Sequence, residues 1–256
     1  MAQLIKWDEM KDRLFETGVD HGVLFLYDSV GKTATIDSTE YLCNYVNGVA
    51  WNGLTAVNHS PEGAEANDTY ADNIKYLTLR SAEDFKYTIE ALYSPAEFDE
   101  CDGTVKPVAG VKVGQQNRKL FGFYHRSNIG SAEDGMEHGF KHHFIFGCTA
   151  DPSEHNYETI NDSPEPASLS WEVSTVTQPM GKITIGSGAD AKTYDLKPTA
   201  HIEIDTTQLD TAGAANLEKL LAVVFGTAPS TEGGTDGKEP MMPSPMDIVR
   251  IMSAAG

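Results

Sequence analysis

The segment "HGFKHHFIFGC", residues 138–148, sets three histidines, a lysine and a cysteine among phenylalanines. Imidazole and thiolate are zinc ligands, and His138 and His142 stand at the i, i+4 spacing that places two ligands on one face of a helix. Gly139 and the aromatic and β-branched neighbours predict a strand instead. In a strand those two residues lie ~13 Å apart, too far to share an ion bound at ~2 Å. Phe140, His142, Phe144, Phe146 and Cys148 then share one face, and Lys141, His143 and Ile145 the other. His142 reads as a half-buried sheet residue, and no metal site is expected.

Other arrangements with chemical potential fail on spacing. "VGKTAT" holds Gly31-Lys32-Thr33, the end of a phosphate loop, but the pattern requires glycine at position 26, where Leu26 stands. A turn at Asp28 to Gly31 between two strands accounts for that composition. No G-x-S-x-G elbow precedes a helix, and no Cys/His pair sits in a recognised local signature. The acids of "EFDECDG" (Glu97, Asp99, Glu100 and Asp102) read as a solvated turn. Trp51, Trp171 and Tyr93 would suit sugar stacking in a carbohydrate-binding sandwich, yet each lies in an alternating strand, where an aromatic belongs to the core. Neither a catalytic residue nor a cofactor is expected.

Composition narrows the field further. The 256 residues are 40% hydrophobic and 22% charged, enough for a sizeable core and unlike a disordered chain. The 38 acids against 19 bases leave a formal charge of -19, which argues against binding nucleic acid through its phosphates. No stretch approaches the ~18 apolar residues of a membrane helix, and the opening residues lack a signal-peptide pattern, so synthesis in the cytoplasm is expected. Cys43, Cys101 and Cys148 are far apart and form no CxxC, as reduced packing residues would be. Sequon tripeptides at Asn58, Asn67 and Asn161 have no consequence without a secretory route.

The elements that carry these residues are short strands. "GVLFLY", "IKYLTLR", "FKYTIEALY", "KLFGFYHR", "HHFIFGC", "LSWEVSTVT", "KITIG", "KTYDL" and "TAHIEID" are rich in β-branched and aromatic residues and bounded by Gly, Pro, Asn or Asp. In "FKYTIEALY", Phe85, Tyr87, Ile89, Ala91 and Tyr93 fall on one face. Residues 181–196 read as a protruding hairpin around Gly-Ser-Gly-Ala-Asp. Trp7, Met10 and Leu14, followed by Gly18, suggest a short opening helix. Leu217, Leu220, Leu221, Val224 and Phe225 place a helix over 211–225 that Gly226 stops.

Two stretches stand outside this pattern. Residues 58–73 read as a long polar loop with Glu62, Glu65, Asp68 and Asp72 and no Lys or Arg. Residues 226–245 have the composition of a flexible linker, after which "MDIVRIMSAAG" suits a short helix. The expected organisation is one mainly β unit over 1–227 and a linker with a C-terminal tail over 228–256.

Several long stretches in fixed order carry a resemblance. "GVAWNGLTAVNHSPEGAE", "YADNIKYLTLRSAEDFKYTIEALYSPAEFDECDG", "VGQQNRKLFGFYHRSNIG", "HGFKHHFIFGC" and "NDSPEPASLSWEVSTVTQP" closely resemble the major tail tube proteins of long-tailed, non-contractile bacteriophages. The resemblance runs from about Val46 to Phe225, and only "GVDHGVLFLY" matches before it. It implies a β-sandwich with a flanking helix that assembles into stacked hexameric rings forming a tube for DNA, with no enzymatic activity. Its implied partners are copies of itself, the tail terminator, tape measure and tail-tip proteins, and genomic DNA passing without specific binding. Its implied location is the virion tail, with a domesticated tail-like particle as the alternative. By the same resemblance the long loop reaches an adjacent ring, through Ser60, Pro61, Glu62, Gly63, Glu65, Asp68 and Tyr70. The hairpin at 181–196 and the tail after 227 match no motif of that family.

Overall fold

A computed structural model describes residues 13–63, 65–153, 159, 166–186, 188, 191–230 and 237–254. Strands β1 (Leu14–Ile36) and β2 (Thr39–Trp51) form a long hairpin, turned by Asp37 and Ser38 at positive φ of 47° and 67°. Then come β3 (Leu54–His59), β4 (Glu62–Gly63), β5 (Ala66–Ala71), β6 (Ile74–Arg80), β7 (Glu83–Asp84) and β8 (Lys86–Ala91). A 3-10 turn at Ala96–Glu100 precedes β9 (Val105–Val108), β10 (Val111–Val113), β11 (Phe121–Ser131) and β12 (Gly135–Ala150). The chain continues through β13 (Leu169–Thr175), β14 (Lys182–Ile185), β15 (Lys192–Asp195), β16 (His201–Asp205), α1 (Thr211–Val224) and α2 (Pro245–Met252). The protein is mainly β, as its alternating sequence predicts, and among the described residues no helix is long and apolar enough to cross a membrane.

One antiparallel sheet organises the body, in the order β2-β1-β11-β12-β13-β8-β3. The long strand β12 changes partner along its length. Lys141 to Ile145 pair with β16, and Cys148 to Ala150 pair with β13. Side-chain alternation therefore feeds two cores. Leu24, Phe121, Phe123, Ile145, Ile89 and Trp171 pack in one, while Val23, Phe25, Tyr124, Phe144 and Phe146 pack in the other beneath α1 and α2. In β8 the expected alternation holds, with Tyr87, Ile89 and Ala91 buried. Tyr93, beyond the strand's end, is exposed.

The helices are fixed by their caps. Asp210 Oδ1 accepts a hydrogen bond from the Gly213 amide at 2.7 Å, and Gly226 beyond the last turn takes φ +71°. Ser244 accepts from the Asp247 amide at 3.2 Å and Pro245 occupies the first turn of α2, where its missing N–H costs no helical bond. Asn216 Nδ2 donates to the Ala254 carbonyl at 2.9 Å, tying α1 to the end of the described chain.

Five sequence expectations are corrected by the structure. Leu14 and Gly18 lie inside β1 rather than in an opening helix; Trp7 and Met10 lie outside the described residues. Asp28 to Gly31 is not a turn between strands. Tyr27 faces Tyr45 and Lys32 faces Cys43, so five steps along β1 span two along β2 and the excess bulges out of one continuous strand. Cys148 does not share the face of Phe144 and Phe146. Phe121 faces Cys148 while Phe123 faces Ile145, a bulge at Gly147 (φ +61°) that inverts the parity and sends Cys148 to the core of Ile145. The far end of the presumed linker is ordered against the body: the Gly48 amide donates to the Pro240 carbonyl at 3.1 Å, the Met242 amide to the Tyr45 carbonyl at 2.8 Å, and Met242 is fully buried. Apolar Met241, Met242, Met246, Ile248 and Ile251 outweigh the linker composition around them. The fifth correction concerns residues 58–73.

Candidate assembly surface

Residues 58–73 are not a structureless loop: Asn58 and His59 end β3 in the main sheet, and the strands beyond them are the outgoing half of a β-arm. β4 pairs with β7, Glu62 opposite Asp84 and Gly63 opposite Glu83. β5 pairs with β6 from Ala66 opposite Arg80 to Ala71 opposite Ile74. Asp72 and Asn73 turn the tip with φ of 51° and 64°, the two left-handed positions of a tight hairpin turn, for which Asp and Asn are suited. Six residues of strand extend the tip by roughly 20 Å.

Every residue of β4, β5, β6 and β7 is exposed. Their side chains include Tyr70, Ile74, Tyr76 and Leu79, each more than 60% exposed. A two-stranded ribbon in water is marginal by itself, and one that carries this much apolar surface has the character of a contact element. Its charges pair internally across the return strand. Lys75 Nζ lies 2.7 Å from Asp68 Oδ1, and Thr78 Oγ1 donates to the same oxygen at 2.7 Å, holding Asp68 below the usual carboxylate range. Lys86 Nζ meets Glu62 at 2.7 Å at the root.

The residues flagged for contact fall along one strand of this arm. Ser60 anchors its root, donating its amide to the Lys86 carbonyl at 2.8 Å; Pro61 follows and Glu62 and Gly63 form β4. Gly63 takes φ +86°, and a β-carbon there would meet the Ala82 carbonyl oxygen at 2.4 Å. The Glu65 carbonyl accepts from Ser81, while Asp68 and Tyr70 lie on β5. The partners across the ribbon, Ile74, Tyr76 and Leu79, were missed because "IKYLTLR" alternates like any core strand. The available signal was Asp72-Asn73 between two alternating runs.

Two further hairpins stand off the main sheet. β9 pairs with β10, exposing Val105, Val108, Val111 and Val113, and β14 pairs with β15, exposing Ile185 and Tyr194. The second confirms the strands expected within 181–196; of its turn Gly186, Gly188 and Ala191 are described, the two glycines at positive φ.

Of the residues weighed for sugar or hydrolase chemistry, Tyr93 is exposed beyond the end of β8, while most of the others are otherwise occupied. Trp51 and Trp171 are buried and pack edge to face at 5.5 Å, so neither offers a stacking platform. Asp99 lies 2.5 Å from Lys106 Nζ and 2.7 Å from Lys112 Nζ. Burial would raise its pKa, but the two ammonium groups prevail and lower it. Glu100 pairs with Lys119. The three cysteines are free and buried, and desolvation pushes each thiol up to about 12, so they are inert as nucleophiles.

The opening strand behaves as its spacing demands. His142 and His143 point to opposite faces. His142 Nδ1 bonds the Tyr124 hydroxyl at 2.7 Å, and burial lowers its pKa to about 4. His143 faces a cluster assembled from four strands. It stacks on His125 of β11 at 4.5 Å and on His201 of β16 at 5.5 Å, and His59 of β3 meets all three rings edge-on at 5.1 to 5.3 Å. Burial lowers His143 and His201 to about 3, and also depresses His59 and His125, so the imidazoles are neutral. Sequence reasoning paired His138 with His142 and missed this group. Its members are far apart in the chain and meet only through strand register.

No protein-family model and no curated protein matches the sequence. Among solved structures, that of Hcp1 from Flavobacterium johnsoniae aligns at 11% identity over 69% of this chain and 99% of the other, with a TM-score of 0.25.

Proposed function

We propose that the chain is a structural subunit that assembles with copies of itself into a hollow tube of the phage tail type. The observation that carries this reading is the arm of residues 60–85: an ordered ribbon with no buried residue in its four strands and large apolar side chains in the open. Such surface lowers its free energy by docking, and a neighbouring copy of the same chain supplies a partner at every position. Head-to-tail contacts close into rings when their rotation permits, and a second such contact between rings extends them along an axis. The terminal strand β3, next to the arm's root, offers a sheet edge through which neighbours join.

The sequence resemblance supplies the finer content of the proposal: hexameric rings, a virion tail or a domesticated tail-like particle, and the tail terminator, tape measure and tail-tip proteins as further partners. With a formal charge of -19, an acidic bore would repel phosphates and let genomic DNA slide without sticking. No catalytic role is proposed. Negative-stain microscopy of the purified full chain, alone and seeded with a tail-tip complex, tests the reading. Rings or tubes are expected, and strictly monomeric particles across concentration and salt, even with seed, would refute it.

A further inference from the structure

The geometry points to a property independent of assembly: a site for one zinc ion, built by His59, His143 and His201 within a single chain. One nitrogen from each of the three rings lies within 4.8 Å of the others. His143 Nδ1 and His201 Nε2 share a hydrogen bond at 3.2 Å, which an ion would replace, and that separation is close to the ~3.4 Å edge of a tetrahedron whose zinc–nitrogen bonds are ~2.1 Å. The ladder of β12 and β16 fixes these two ligands, since Ile145 faces His201 and His143 faces Glu203. His59, at the end of β3, keeps one flank in solvent while its ring meets His143 and His201 edge-on, which makes it the third ligand.

The surroundings fit the same assignment. The outer nitrogen of His143, Nε2, lies 3.0 Å from Ser127 Oγ, the kind of partner that sets a ligating imidazole's tautomer and orientation. The His201 ring is stacked on Phe85 at 4.7 Å. Buried His125, stacked on His143, has an Nδ1 with no hydrogen-bond partner, an orphan that a water held at this cluster would satisfy. Glu203 Oε2 is 3.7 Å from His143 Nδ1 and places negative charge beside the ion. A cavity of about 250 Å³ lined by Phe85, Thr199 and His201 opens next to the cluster and gives access. Neutral imidazoles are the ligating form and favour zinc over calcium or magnesium, which take oxygen ligands. Three nitrogens leave a fourth position for water. Bound there, zinc ties the arm's root on β3 to β12 and β16.

The test uses the full chain without an affinity tag, stripped with chelator, then dialysed against zinc chloride and assayed for metal by mass spectrometry. One zinc per chain is expected. His59→Ala, at an exposed position, should weaken binding at least tenfold; Ser127→Ala should weaken it by about 10- to 100-fold. His138→Ala, outside the cluster, should leave it unchanged. Cobalt in place of zinc should give the intense visible bands of a tetrahedral site in the parent and lose them in His59→Ala. Circular dichroism establishes that each variant is folded. Absence of stoichiometric zinc in the reloaded parent, or undiminished binding by folded His59→Ala, would overturn the assignment.

Discussion

Excising the arm separates folding from assembly. Replacing residues 64–82 with Asn-Gly joins Gly63 to Glu83, already opposite one another in the β4–β7 ladder, through a two-residue turn of the favoured type. Removing residues 60–70 alone would be a poorer test, because it deletes one strand of the ribbon and strands the other. No side chain of β5 or β6 is buried, so the excision opens no cavity, and the shorter connection lowers the loop-closure cost by about 2 kcal/mol. Unfolding in urea, followed by tryptophan fluorescence, should therefore show a subunit no less stable than the parent and at most about 2 kcal/mol more stable. Assembly should respond very differently. Ile74 and Leu79 each bring roughly 1.5 to 3 kcal/mol if buried in a contact, and Tyr70 and Tyr76 add larger surfaces. Even after ordering costs, losing several kcal/mol at every contact changes association by more than a hundredfold. Sedimentation velocity and negative-stain microscopy at matched concentration should show a folded subunit that does not stack. Tubes of parental length at the parental concentration threshold would refute the reasoning.

The other perturbations follow from the geometry. Ile74→Asp and Leu79→Asp, at 62% and 63% exposure, should leave the urea midpoint nearly unchanged while abolishing or shortening tubes; an unaltered length distribution would remove these residues from the contact. Gly147→Ala should cost about 2 to 4 kcal/mol in urea unfolding, because its φ is +61° and a β-carbon would lie 2.2 Å from the Val176 carbonyl oxygen. Gly53→Ala, at φ +81° but with its nearest contact at 3.7 Å, should cost only about 1 to 2 kcal/mol. Asp99, whose folded pKa lies below its unfolded one, contributes stability that is present above the unfolded value near 4 and is lost as pH falls through the folded value. Asp99→Asn should therefore flatten the decline in stability measured below about pH 4, and an unchanged slope would place the acid sensitivity elsewhere.

What the sequence discloses is local periodicity. The alternation of β8, the strand character of residues 138–148, the paired strands within 181–196 and the stripe of α1 with its Gly226 stop are read from neighbours a few residues apart, and the structure agrees. Its failures come from non-local events. The bulges at Asp28–Gly31 and Gly147 depend on the opposing strand, and each shifts parity without breaking the apolar pattern. The arm read as a loop because its outgoing strand is polar on both faces, and the basic residues that complement it arrive only on the return strand. The segment around Met242 read as linker because Pro and Gly surround it, whereas β2 accepts it as an edge partner. The histidine cluster gathers positions 59, 125, 143 and 201 through the pairing of four strands, an arrangement with no short-range signature.

The most direct measurement is a cryo-electron microscopy map of the untagged full chain after assembly. The account predicts hollow tubes in which the ribbon of residues 62–84 leaves its own subunit and lies against a neighbouring copy, burying Tyr70, Ile74, Tyr76 and Leu79. Particles that remain single subunits, or tubes in which those four side chains stay in solvent, would contradict it.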